Sequence, residues 1–398
     1  MTSPSLHSPP PAQPPSAHIP AEVGSALDYE LLAPRFMAPA HHAYVAGGCG
    51  NDISVAANLQ AFAQWGVLPR PLRDVRHGHL RTVVAGQPWT HPLALAPVAF
   101  QKLAHPNGEV DTARAAAATS TCLVASTLSS TTLEAIAQAG DAATPRWFQL
   151  YFQPHRASTL DLVRRAEAAG YSAIVVTVDA AIQTASRRAL QAGFRMPADC
   201  LPENLRHHTP AAPLALQAGH SRVFQGAMHN APTWADLQWL MEQTRLPVWV
   251  KGVMHPDDAR EMQARGVTGV IVSNHGGRSL DGAPATLQML PAVCAAVGAD
   301  YPVLLDGGIR CGTDIFKALA LGAHAVLVGR LQVYALSVAG ALGVAHMLRL
   351  LCEELEACMA LAGCATVADI KPGALVPVPL PMPTPMPLSM STAMAPTA

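Results

Sequence analysis

The sequence predicts an α/β fold, a closed (β/α)8 TIM barrel. Three observations lead there. Eight short apolar runs alternate with helical stretches over roughly 250 residues, the usual length of such a barrel. Polar and glycine-rich residues gather directly after those runs, at the strand ends where barrel active sites form. The chain also lacks the G-x-G-x-x-G opening of a dinucleotide-binding half, which weighs against the runner-up, a doubly wound open sheet.

Composition bounds the rest. The 398 residues are 50% hydrophobic and 13% charged, which fits one large domain with tails or two small ones. A net charge of −1 gives no electrostatic footprint for nucleic acid or an anionic membrane surface. The 8 cysteines show neither C-x-x-C pairing nor metal-type spacing, so they read as reduced thiols and no metal site is expected. No apolar run reaches transmembrane length, and residues 1–20 lack the basic and apolar regions of a signal peptide. A soluble cytoplasmic protein is the expectation.

Taken in order, residues 1–20 are Pro- and Ser-rich and are expected to be disordered, as is the Pro/Met-rich stretch 372–398. The barrel domain is expected over 21–371. Helices are expected at 28–37 and 54–65, with a glycine-rich turn at 44–48 between them. Strands are expected at 93–97, 122–125, 147–152, 173–178, 247–250, 269–272, 302–305 and 325–328, each a short apolar run suited to a buried strand. Helices are expected at 109–119, 132–139, 158–169, 256–265, 287–297, 313–321 and 338–362. Residues 195–232 interrupt the alternation with prolines and histidines and no clear period. An insertion of that length is a functional lid or a disordered loop.

The residues after the strands carry the chemistry. Val272 leads into Ser273-Asn274-His275-Gly276-Gly277-Arg278, which sets a titratable base and a fixed cation beside backbone that can approach a ligand. Lys251 ends another strand and is expected to point into the barrel mouth rather than to snorkel at the surface. Asp179 ends a third, where it can orient the His275 imidazole or cap a helix. Asp306-Gly307-Gly308, with Arg310, and Gly329-Arg330 follow the last two strands, the usual phosphate position in this fold.

With these motifs in view, residues 28–371 resemble the FMN-dependent L-2-hydroxy acid oxidase and dehydrogenase family, the glycolate oxidase, lactate oxidase and mandelate dehydrogenase group. Ser-Asn-His-Gly-Gly-Arg is that family's active-site signature. Gln101-Lys-Leu-Ala-His-Pro106, Phe148-Gln-Leu-Tyr151, Thr177-Val-Asp179, Val250-Lys-Gly252 and Leu305-Asp-Gly-Gly308 support it. The resemblance implies FMN as cofactor, a small 2-hydroxy acid as substrate, oxygen or another electron acceptor, and a homotetramer. It implies His275 as base held by Asp179, Arg278 on the substrate carboxylate, and Tyr44 and Tyr151 hydrogen-bonding the substrate. Lys251 is implied to sit by the flavin ring, with Ser126, Gln149, Thr177 and Ser273 contacting the flavin. Asp306, Gly307, Gly308, Arg310, Gly329 and Arg330 are implied to hold its ribityl chain and phosphate.

Three departures from the family pattern stand out. Where the family carries a second carboxylate-binding arginine, seven residues after Asp179, this chain has Ser186; a local shift is expected to bring in Arg188 or Arg187. Without such a shift, an FMN barrel of lost or altered activity is the alternative. Ala99 and Leu128 leave the expected side-chain pocket roomy, which favours lactate or longer acids over glycolate. Leu331 replaces a proline common after the Gly-Arg pair, a change expected to matter little.

Overall fold

The computed structural model describes residues 12–210 and 214–379. Eight parallel strands close the barrel: β1 (Leu93–Leu95), β2 (Cys122–Ser126), β3 (Arg146–Leu150), β4 (Ala173–Thr177), β5 (Val248–Val253), β6 (Gly269–Val272), β7 (Val303–Asp306) and β8 (Ala325–Val328). Closure comes from β8 pairing with β1, Val326 opposite Leu93. The helices that follow the strands are α1 (Glu109–Ala118), α2 (Leu133–Ala139), α3 (Arg156–Ala168), α4 (Trp234–Gln243), α5 (Pro256–Ala264), α6 (Thr286–Val297), α7 (Gly312–Ala320) and α8 (Arg330–Ala362).

The period of two along each strand explains the core. Outward residues such as Leu95, Phe148, Val176, Val250, Val272, Leu305 and Val326 join one large cluster with the helices. Inward residues, among them Ala94, Val124, Trp147, Val175, Trp249, Ile271, Leu304 and Leu327, form a second cluster inside the barrel. Trp147 and Trp249 stack there with ring centroids 4.9 Å apart, and Trp89 packs on Trp147 at 5.5 Å. Trp89 and Val84 reach the barrel interior from an antiparallel hairpin, Thr82–Val84 with Gln87–Trp89, just before β1. Gly269 is required by this filling, because any Cβ there would enter the Trp249 ring.

At the other end of the barrel the same inward columns turn polar. Ser126, Gln149, Thr177, Lys251, Ser273 and Asp306 occupy the next inward places, and all are buried. The fold thus delivers six polar side chains to one mouth by strand parity alone.

Several expectations are corrected. Tyr44 is not in a turn: residues 44–46 finish the helix Pro39–Ala46, whose first residue is a proline already set for helical φ. Helix α4 lacked an expected counterpart, although Thr233 and Asp236 form a reciprocal capping box that marks its start. Helix α8 begins at Arg330 rather than 338, and only Ala339 and Gly340 leave helical geometry within it. Against the expectation that no apolar run is long enough, α8 is long and apolar enough by length and composition to cross a membrane; it is a barrel helix packed against α1 and α7.

Both expected tails shrink. Gln13 N–H donates to Arg35 and Ser16 N–H to Val338, so residues 12–20 are fastened to the domain by main-chain bonds that composition does not reveal. At the other end Leu375–Pro377 pairs antiparallel with Trp65–Val67. The domain therefore runs past 371 to at least 377; residues 1–11 and 380–398 lie outside the described residues. The insertion is anchored too. Asn204 is buried, accepts from Leu133 N–H and donates to the carbonyls of Ser126 and Thr127.

Candidate active site

A cavity of about 1220 Å³, counting its open mouth, lies at the polar end of the barrel. Its walls include Tyr44, Ala99, Ser126, Leu128, Gln149, Tyr151, Thr177, Lys251, His275, Arg278, Asp306, Gly307, Gly308, Arg310, Gly329 and Arg330. The strand-end residues singled out in the sequence thus converge, with Asp179 and Ser273 directly behind them.

His275 sits at the focus. Its Nδ1 donates to Asp179 Oδ1 at 2.8 Å, which leaves Nε2 as the acceptor, 3.5 Å from the Tyr151 hydroxyl. The backbone at His275 is left-handed, φ 58°, a conformation costly for most side chains and held here by neighbours. Its N–H donates to Ser273 Oγ, which also accepts from Lys251 Nζ. Asn274 and Asn58 exchange two side-chain hydrogen bonds at 2.8 and 2.9 Å, clamping the loop onto the helix Ile53–Ala63. Nothing in the sequence flagged Asn58, since a lone helical asparagine has no local signature.

Asp179 meets Gly252 so closely that a Cβ at 252 would strike it, and Gly252 has φ 102°. Burial pushes the Asp179 carboxyl upward, but His275 and Lys251 outweigh that and hold it below the usual carboxylate range. Burial likewise works against a charged Lys251, yet Asp306, 3.1 Å away, and Asp179 keep its pKa above the ordinary value. Burial pushes the Tyr151 phenol up to about 12, so it stays a donor.

These shifts set a pH dependence. A depressed carboxyl contributes stability above its unfolded pKa, about 3.9, that is lost as pH falls through its lower folded value. A raised lysine contributes stability below about 10.4 that is lost as pH rises through its higher folded value. Melting temperature is therefore expected to be flat with respect to this pair between about pH 5 and 9 and to fall outside that range. In Lys251→Met the alkaline decline should begin elsewhere or vanish, which a thermal-melt series across pH reads directly.

Several buried atoms around the cavity have no partner among the described residues: Gln149 Nε2, Thr177 Oγ1 and Asp306 Oδ1. A buried polar atom is costly unless paired, so these groups call for a polar ligand. Beside them Gly307 and Gly308 hold φ 95° and 91°, and a Cβ at Gly308 would collide with the Asn58 carbonyl and the Phe62 ring. Donors, hydroxyls and a side-chain-free backbone together fit the polar ring edge, polyol chain and phosphate of a flavin mononucleotide.

The arginines are placed less simply. Arg310 lines the cavity but its Nε and one terminal nitrogen donate to Glu30. Arg330 donates to the carbonyls of Val45, Gly47 and Gly276, and burial with the nearby Arg278 pulls its pKa down to about 10. Arg278 lies over the Tyr44 ring at 4.7 Å, and one of its terminal nitrogens donates to the carbonyls of Tyr44 and Gly47. Its Nε and other terminal nitrogen have no hydrogen-bond partner among the described residues.

The expected replacement for the missing arginine is not made. Arg188 pairs with Asp52 at 2.7 Å, Arg187 donates to Asn51, and neither lines the cavity. The reason is local. Ser186 caps the short helix Arg187–Gln191 by accepting from Ala189 N–H, which turns both arginines onto the 51–52 turn. That segment sends Gln183 to the cavity wall instead, and an isolated glutamine in a loop carries no signal in the sequence.

A parallel barrel whose mouth joins a buried lysine, a His–Asp pair and a flavin-shaped polar wall defines a flavin-dependent oxidoreductase site. The chain belongs to the FMN-dependent dehydrogenase family, whose model matches residues 33–377. It is 67% identical over 363 residues to an L-lactate oxidase of Alicycliphilus denitrificans, covering 91% of this chain and 99% of that one. It is 39% identical to human 2-hydroxyacid oxidase 1, with 85% and 93% covered. A mandelate oxidase crystal structure with (S)-2-phenylpropionate superposes with a TM-score of 0.79 at 40% identity, covering 89% of this chain and 98% of that one. This protein is therefore an FMN-dependent enzyme that oxidises the CH–OH group of a 2-hydroxy acid.

Proposed function

We propose that this enzyme oxidises an L-2-hydroxy acid of lactate size or larger to the 2-oxo acid, with His275 as base and oxygen as the final electron acceptor. The observation that carries this reading is the His275–Asp179 pair, at 2.8 Å, facing a cavity shared with Arg278. Held by Asp179 at Nδ1, the imidazole accepts a proton at Nε2, and the low-lying Asp179 carboxylate compensates the charge that forms. The free edge of Arg278 matches a carboxylate in two parallel hydrogen bonds. Tyr151 and Tyr44 direct the substrate oxygens. FMN, when bound, supplies the two-electron acceptor, and Lys251 places a fixed positive charge beside it.

A substrate of lactate size or larger is supported by Ala99 and Leu128, apolar residues on the cavity wall. The name of the 67% identical relative, L-lactate oxidase, supports both lactate and oxygen. The test is a visible spectrum of the purified holoenzyme during anaerobic addition of L-lactate, glycolate and L-mandelate in turn. The flavin band is expected to bleach with lactate, more slowly with glycolate, and to return when air is admitted. Bleaching by none of the three would overturn the reading; bleaching that air does not reverse would overturn oxygen as acceptor.

One observation favours a second reading. With Arg187 and Arg188 committed outside the cavity, the clamp holds a single arginine, so a retuned carboxylate preference is the alternative. It predicts that a neutral 2-hydroxy amide bleaches the flavin about as fast as the acid does.

A further inference from the structure

The segment that lacks the second arginine contributes an aromatic ring instead. Just after the helix Arg187–Gln191, Phe194 turns back, its N–H donating to the Ala189 carbonyl. Its ring stacks on Tyr44 with centroids 4.3 Å apart and planes 16° from parallel. The opposite side of the arrangement is charged, since the Arg278 guanidinium carbon lies 4.7 Å from the Tyr44 ring centre. His41 meets Phe194 edge-on at 6.1 Å, and its Nδ1 is 3.1 Å from the Leu103 carbonyl. Phe194 itself does not line the cavity.

We propose that Phe194 is a positioning residue for substrate binding, acting through Tyr44 to hold Tyr44 and Arg278 in one rigid unit. This rests on the reading that Tyr44 and Arg278 bind the substrate. A tyrosine on a short helix end and a single arginine have rotamer freedom that binding must remove, and each immobilised side chain costs affinity. Stacking against Phe194 removes that freedom beforehand, and offset aromatic pairs are favourable beyond the area they bury. The main chain adds to it, because Arg278 also grips the carbonyls on either side of Tyr44's helix end, at Tyr44 and Gly47. The arrangement offsets the cation absent at Ser186: one arginine held still does part of the work of two held loosely. Capping by Ser186 and the ion pair of Arg188 with Asp52 serve the same end, since they anchor the segment from which Phe194 projects.

The experiment measures the dissociation constant of pyruvate from the oxidised holoenzyme by its perturbation of the flavin spectrum, together with KM and kcat for L-lactate. Phe194→Ala and Phe194→Leu are expected to weaken pyruvate and raise KM by about 10-fold, with kcat within about 3-fold and FMN content unchanged. Phe194→Trp, which restores a ring, is expected to recover most of the affinity. In a Tyr44→Ala background, Phe194→Ala should have little further effect, because the two act as a unit. Additive losses, or equal binding by the Ala, Leu and Trp variants, would overturn the proposal, as would loss of FMN from both small variants. Arg278→Met, run in parallel, separates the two levels. If it leaves pyruvate binding intact, the substrate-site reading fails; if it weakens binding while Phe194→Ala does not, Phe194 alone is misassigned.

Discussion

Replacing His275 by Gln is expected to lower kcat by about 10²- to 10⁴-fold while the protein stays yellow. The amide keeps the size of the ring and can still donate to Asp179, but it offers no basic nitrogen at the position of Nε2. FMN should remain bound because the polar groups that fit it, Gln149, Thr177, Asp306 and the Gly307–Gly308 backbone, lie on other strands or in the loop after β7. Backbone strain is the one complication, since residue 275 sits at φ 58°, where Gln is poorly suited. His275→Asn tolerates that conformation better and serves as the control. Steady-state rates with L-lactate and the flavin absorbance of both variants decide the matter. If either variant turned over at near wild-type rate, the base would have to be assigned elsewhere.

The second large effect is expected at Arg278. Arg278→Met should raise KM for the hydroxy acid by about 10²- to 10³-fold, the scale for losing one partner of a desolvated charge pair. The effect is large because Arg187 and Arg188 are engaged by Asn51 and Asp52, while Arg310 and Arg330 on the same wall are engaged by Glu30 and main-chain carbonyls. Arg278→Lys should rescue little. A lysine lacks the planar fork, so it cannot hold the Tyr44 and Gly47 carbonyls on one side and a carboxylate on the other. A Lys variant with wild-type KM would mean that charge alone, and not this geometry, binds the substrate.

Much of this was legible in the chain. The eight apolar runs and their order followed from local pattern, and the strands at 269–272 and 325–328 begin and end where expected. His275, Lys251, Asp179 and Asp306 could be picked out because they directly follow or end such runs, and barrel topology brings strand ends together whatever the loops do. The polar inward column was readable too, had the period of two been followed to the last residue of each strand, since Ser126, Gln149 and Thr177 share parity with the apolar residues before them.

Long-range pairing was not legible, because it leaves no trace in nearby sequence. Residues 12–20 and 375–377 read as unstructured since their partners lie far along the chain, at Arg35, Val338 and the strand Trp65–Val67. The Asn58–Asn274 pair spans 216 positions. The same holds at the clamp. Sequence by itself determined that Ser186 stands where the family resemblance implies a second arginine, and that two arginines stand beside it. Only the tertiary structure decided that both are drawn off to Asn51 and Asp52, that Gln183 takes the place at the cavity wall, and that Phe194 stacks on Tyr44. Spacing along a chain fixes which residues can reach a site. Which of them do is set by competition among caps, ion pairs and ring contacts of similar energy, and that competition exists only once distant segments have met.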